Sequence, residues 1–241
     1  MKYKRVISFG DSFTWGNDLN DCKEYTGEAE WEEFCNSYSK KTWSALLANY
    51  FSAEYTCLAV AGSSNQTILR DILNQLDNIT SQDFVIVNWS WIDRWDFYDI
   101  DIERWITVRP MGLSLSNPLV NQNYKLNNEY QKIYYTYFQS ELWDKLESLK
   151  AISIAIDFLE KYNIKYFMTC VDPLIIDEQF HYDSVIKLLI NNIKDKLFWF
   201  DRKGFYHWSK ENKYPISDLW HPLEEAHQAA FEYIINNYEF T

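Results

Sequence analysis

Two short stretches hold side chains whose types and spacing suit bond-breaking chemistry. Near the start, "VISFGDSFTWG" (residues 6–16) runs from an apolar segment into Gly10, Asp11 and Ser12. Near the other end, "SDLWHPLEEAH" places Asp218 three residues before His221, which in turn precedes Pro222. A residue before proline is pushed to extended backbone. Pro222 itself suits the first position of a helix, where its missing N–H costs nothing, so His221 is expected just outside the last helix. A carboxylate at imidazole Nδ1 leaves Nε2 free to take a proton from a serine hydroxyl, and Asp218 is close enough in sequence to be that carboxylate. Each stretch alone has a plainer use. Gly-Asp-Ser in isolation reads as a tight turn or cap, and Asp218 with His221 as a helix entry. Glu224 and Glu225 favour the dipole of the helix that follows and need no catalytic role.

Bringing the two ends together requires a particular scaffold. "RVISF", "EYTCLAVAG", "DFVIVNWSW", "IKYFMTCVD" and "KLFWF" read as five buried strands. Between them, "KTWSALLANYF", "SNQTILRDILNQLDNI" and "YDSVIKLLINNIKD" have helical spacing, Ser64 or Asn65 suiting the cap of the second of these. The chain closes with the helical "PLEEAHQAAFEYIINNY". Residues 18–38 read as an acidic loop, residues 96–128 as irregular, and Asn128–Asn163 as one long helix or two. Buried strands alternating with helices imply a parallel sheet covered on both faces. In such sheets the ligand site lies beyond the carboxyl ends of the strands. Gly-Asp-Ser, Ala-Gly-Ser-Ser-Asn and Asn-Trp-Ser-Trp all fall on that edge.

These motifs resemble those of the SGNH (GDSL-type) hydrolases, and the likeness spans nearly the whole chain. "FGDSFTWG" matches the first family block, "LAVAGSSN" resembles the second and "DLWHP" matches the last. The resemblance implies a three-layer α/β/α sandwich around a parallel five-stranded sheet, flavodoxin-like; the length of the chain suits a single domain over 1–241, and its mixed central signals suit an insertion or lid around 96–145. The resemblance also implies Ser12 as nucleophile, His221 as general base and Asp218 as its orienting partner. The backbone N–H groups of Ser12 and Gly62 would hold the oxyanion. The third block departs from the family's Gly-x-Asn-Asp: in "NWSWIDRW", Ser90 takes the glycine slot and Ile92 the asparagine slot. Asn65, Asn88 and Ser90 are the polar neighbours able to replace the missing amide. Asn65 is preferred because it follows Gly62 on the same loop, although capping the second helix is its other use. Arg94, just past this edge, suits either an anionic substrate group or a salt bridge with Asp93, Asp96 or Asp99.

The implied activity is a serine esterase that cleaves an acetyl or short acyl ester through an acyl-enzyme. Trp15, Trp89, Trp91, Trp95 and Trp105 fall near the site, and flat indole faces suit sugar faces, which points to a carbohydrate ester. Trp15, Asn88, Trp91 and Arg94 are the expected substrate contacts, with core packing the plainer fate of most of the tryptophans. An O-acyltransferase would use the same triad, and a carbohydrate- or ligand-binding protein of low activity would keep the same fold. Composition narrows the partners. A net charge of −12 over 241 residues argues against nucleic acid and anionic membranes, and no apolar run is long enough to span a bilayer. "MKYKRVISFG" is too short in its apolar stretch for a secretory leader, so a cytoplasmic location is expected. Cys57 and Cys170 fall in strands and read as buried thiols, whereas Cys22 and Cys35 would pair only under oxidising conditions. His181, His207, His221 and His227 lack metal-ligand spacing, and no P-loop or GxGxxG is present, so no cofactor or metal is expected.

Overall fold

A computed structural model describes residues 3–22, 37–101, 103–109, 129, 131–180 and 182–240. The first apolar run forms β1 (Arg5–Phe9), and the chain turns directly into α1 (Ser12–Trp15), capped by the Asp11 carboxylate, which accepts the Phe13 N–H. There follow α2 (Trp43–Tyr50), β2 (Glu54–Cys57), α3 (Asn65–Gln75) and β3 (Asp83–Trp89). Next come a hairpin of β4 (Trp95–Asp99) and β5 (Arg104–Val108), then α4 (Glu141–Lys161) and β6 (Lys165–Cys170). The chain ends with α5 (Ser184–Ile193), α6 (Phe205–Glu211) and α7 (Glu224–Asn237). The cap of α3 is Ser64, not Asn65: its hydroxyl accepts the Thr67 N–H.

The main sheet is parallel in the order β2-β1-β3-β6, the doubly wound arrangement of flavodoxin-like folds. Successive side chains of a strand point to opposite faces, and that alternation divides the core. Ile7, Phe9, Val85, Val87 and Trp89 pack against Ile68 and Ile72 of α3, Ile152 and Ile156 of α4, and Ile186 and Ile190 of α5. Val6, Phe84, Ile86 and Phe167 face Trp43 and Leu47 of α2, Phe205 of α6, and Ala226 and Ala230 of α7. Register aligns Phe9 with Val87 and Ser8 with Cys57, so the loops after the strands open on one edge.

Two sequence expectations change here. Among the described residues the sheet has four strands, not five. The "KLFWF" segment lies along the free edge of β6, where the Phe198 N–H donates to the Met168 carbonyl at 2.8 Å. The ladder then stops, because the Thr169 hydroxyl takes the Phe198 carbonyl at 2.8 Å. The chain folds back through a Phe200–Lys203 bridge with Asp201 and Arg202 at φ 49° and 64°. Likewise α7 starts at Glu224, with Leu223 as its cap; Pro222 lies outside it, bridged to Ile216.

In the segment expected to be irregular, Asp96 fastens the hairpin to α3, accepting hydrogen bonds from Ser64, Thr67 and Thr107 at 2.6, 2.6 and 2.7 Å. Trp95 stacks on Tyr134 at 4.4 Å and 4°, in a π-helical turn (Tyr134–Phe138) that precedes α4. The rest of that segment, 110–128, lies outside the described residues, as do Cys35 and His181. Cys57 and Cys170 are buried thiols. No helix among the described residues is long and apolar enough to cross a membrane.

Gly16 ends α1 at φ 88°, and a Cβ there would lie 2.5 Å from Ser39 Cβ and 2.8 Å from Thr42 Cγ2. Left-handed backbone alone costs an L-residue roughly 1–2 kcal/mol. Gly16→Ala should therefore lower unfolding free energy in urea by more than about 2 kcal/mol; a loss below about 0.5 kcal/mol would contradict this geometry.

Candidate active site

Asp11, as the cap of α1, fixes Ser12 at the helix's first position, directly beyond the end of β1. His221 stands outside α7 on a tight loop closed by the Ser217 N–H to the His221 carbonyl and the Trp220 N–H to the Ser217 carbonyl, both 2.9 Å. The two ends of the chain meet here. His221 Nε2 lies 2.9 Å from Ser12 Oγ, and both side chains are nearly buried.

The carboxylate at His221 Nδ1 belongs to Asp18, at 2.7 Å. Asp218, the expected partner, is exposed and makes no hydrogen bond to His221. The loop geometry explains the exchange. Trp220 sits at φ 70°, and the turn that seats His221 leaves Asp218 on its outer side. Asp18 reaches in because Gly16 reverses the chain after α1 and Asp18 itself adopts φ 66°, a conformation that Asp tolerates better than most residues. The Ser217 hydroxyl donates to the same Asp18 oxygen at 2.5 Å and accepts the His221 N–H at 3.1 Å. The sequence signal for Asp18 is its place six residues after Ser12, just past a glycine able to turn the chain; the family pattern directs attention to Asp218 instead.

The remaining predicted residues divide into framework and open donors. Asn65 is buried, and its amide nitrogen donates to the Ser90 carbonyl (3.3 Å) and Ser148 Oγ (3.0 Å) while its oxygen accepts the Ser90 N–H at 2.7 Å. That full commitment removes it as an oxyanion donor. Ser90 is equally engaged, its hydroxyl donating to Asp11 at 2.7 Å. Ile92 donates its N–H to Asp172 at 3.3 Å. Asn88 is fully buried within β3, its amide atoms without partners among the described residues. Trp15 and Trp89 are core residues, and Trp91 packs edge-on against Tyr206 and His207. Trp105 is half exposed, with the Arg70 guanidinium 4.3 Å from its ring centre. Arg94 pairs with none of Asp93, Asp96 or Asp99: it is buried against Asp11 at 3.1 Å and donates to the Ser63 carbonyl and Ser90 Oγ. Gly62, at φ 86°, keeps its loop at the strand edge. Neither the Ser12 nor the Gly62 N–H has an acceptor among the described residues.

Behind this centre, His227 accepts the Trp43 N–H on Nδ1 at 3.2 Å. Burial, with the neighbouring His221 second, pulls its pKa down to about 3. No group of described residues is arranged to hold a metal ion.

Solved structures of other proteins resemble this one at low sequence identity. TesA aligns over 97% of each chain at 9% identity and TM-score 0.50. A lipolytic G-D-S-L family protein from Veillonella parvula aligns over 98% of each chain at 12% identity and TM-score 0.47. The acetyl xylan esterase Est2A from Butyrivibrio proteoclasticus aligns over 97% of this chain and 64% of its own, at 15% identity and TM-score 0.47. No family model and no curated protein matches the sequence. The chain shares with TesA the arrangement of a parallel sheet between helices; at such identity the likeness speaks for the fold alone.

A histidine held neutral by burial loses stability for the folded state as pH falls from its unfolded value of about 6.5 towards 3. The His227 ring resonances should accordingly stay fixed from pH 8 to 4.5 in NMR; a titration centred near 6.5 would contradict its burial.

Proposed function

We propose that this chain is a serine esterase acting on acetyl or short acyl esters. The observation that carries the reading is the continuous chain of contacts from Ser12 Oγ through the His221 ring to Asp18. In this mechanism Asp18 accepts the Nδ1–H, which fixes the tautomer with a free Nε2 lone pair. His221 takes the Ser12 proton as Oγ attacks the ester carbonyl. The electron pair moves onto the carbonyl oxygen, which the Ser12 and Gly62 N–H groups receive. Collapse of the adduct expels the alcohol, protonated by His221, and leaves an acyl-enzyme. Water, deprotonated by the same histidine, then releases the acid. Transfer of the acyl group to another hydroxyl would use the same residues.

The alcohol side of the substrate is assigned to a carbohydrate. Support comes from the indole of Trp220, the residue before His221, which is 63% exposed, and from the partly exposed Trp91; both suit an apolar sugar face. A specific observation favours a slow enzyme: the site lacks the third-block amide, and one oxyanion donor is typically worth about 100- to 1000-fold in turnover. A binding protein that kept the fold is the reading from another class.

Hydrolysis of 4-nitrophenyl acetate separates these readings. Wild type should cleave it, and Ser12→Ala should abolish turnover above background. Asp18→Asn should lower kcat by about 1000-fold or more, as loss of the orienting acid does elsewhere, while Asp218→Asn should stay within about twofold. Equal losses in the two aspartate variants, or a loss confined to Asp218→Asn, would restore Asp218 as the acid. An inert wild type would favour the binder.

A further inference from the structure

The reaction just described leaves one cation at the site without a use. Arg109 follows β5, and its guanidinium lies against the Gly62 backbone: a Cβ on Gly62 would sit 1.7 Å from its terminal nitrogen and 2.1 Å from Cζ. Glycine is needed there to admit the arginine as well as for its φ. A guanidinium has five N–H donors. Among the described residues this one makes a single hydrogen bond, to the Ala61 carbonyl at 3.5 Å, and no ion pair. The neighbouring cations are engaged: Arg94 with Asp11, and Arg70 with Asp96 at 3.6 Å. The backbone that carries Arg109 is nevertheless held in place. The Tyr135 hydroxyl donates to the Asp93 carbonyl with the Val108 carbonyl 3.4 Å away, and the Gln131 amide donates to the Arg109 carbonyl. Burial, then the charge on Arg94, lowers its pKa to about 10, which leaves it charged at neutral pH. In a chain of net charge −12, a half-buried cation that feels the charge of Asp11 but makes no ion pair among the described residues is costly unless something anionic visits it.

We propose that Arg109 makes this site select esters whose acyl part carries a carboxylate, with the guanidinium gripping that carboxylate while the scissile carbonyl oxygen sits at the Gly62 N–H. Planar two-point recognition of a carboxylate is what guanidinium does best. The inference rests on the esterase reading and adds its substrate class.

The test compares 4-nitrophenyl hemiglutarate with 4-nitrophenyl pentanoate, which have equal chain length and differ in the terminal carboxylate. Wild type should prefer the hemiglutarate in kcat/KM. Arg109→Gln should reduce that preference about tenfold or more, mainly through KM, and Arg109→Lys should keep part of it. The proposal fails if wild type shows no preference, or if Arg109→Gln lowers kcat for both esters alike, which would place the guanidinium on the oxyanion. If wild type cleaves neither ester, the esterase reading falls, and calorimetric titration with glutarate decides for Arg109. Binding that is lost in Arg109→Gln sustains the anion site, and absence of binding overturns it.

Discussion

The turn that carries Ser12, the second-strand loop and the third-strand loop are joined at the carboxylate of Asp11. One oxygen accepts the Phe13 N–H and starts α1; the other receives Ser90 Oγ and Arg94. Arg94 carries the link on to the Ser63 carbonyl beside Gly62. Both members of this ion pair are buried, and taking charges out of water is costly unless each remaining lone pair and proton finds a partner. Here Ser90 Oγ, the Phe13 N–H and the Ser63 carbonyl supply partners to the pair. Breaking such a pair from one side costs about 3–5 kcal/mol, because the survivor is left uncompensated. The arrangement accounts for the residues that replace the family's third block. Ser90 and Arg94 brace the base of the site, and Asn65 braces Ser90.

The carboxylate at His221 Nδ1 likewise comes from elsewhere than the SGNH pattern implies. In the SGNH pattern the acid and base come from one short block, and the carboxylate needs only a local turn. Here His221 and the carboxylate on its Nδ1 come from two loops more than two hundred residues apart in sequence, so His221 is oriented only when those loops dock. The docking is visible in several contacts. Ser217 bonds Asp18, the Asn20 N–H donates to Glu224 at 2.9 Å, and Lys41 lies 3.9 Å from the same carboxylate. Glu224 thus serves the loop interface as well as the α7 dipole. Proper orientation of the imidazole therefore reports on tertiary closure, where the usual pattern would report on local sequence.

Much of this was legible in the sequence because strand burial and helix capping are local. The four strands of the sheet and the cap of α3 at Ser64 follow from apolar runs and short polar caps, and the meeting of Ser12 with His221 is what the resemblance of the motifs implied. The misreadings arose where a distant group competes for a local one. "KLFWF" has strand composition, yet a threonine hydroxyl on β6 takes the carbonyl that a ladder would use. Asn65 has the right amide in the right loop, yet Ser90 and Ser148, twenty-five and eighty-three positions away, consume it. Arg94 has acidic neighbours in sequence, yet its partner is Asp11. Asp218 is near His221 along the chain, but the turn that positions the ring points it outward.

The account stands on Ser12 being a nucleophile activated by His221. Incubation with a fluorophosphonate, followed by intact-mass and peptide mass spectrometry, examines that directly and without assuming the natural ester. The account predicts one phosphonyl adduct per chain, mapped to Ser12, absent in Ser12→Ala and strongly slowed in His221→Ala. No adduct on the folded protein, an adduct on another residue, or labelling at an undiminished rate without His221 would contradict it.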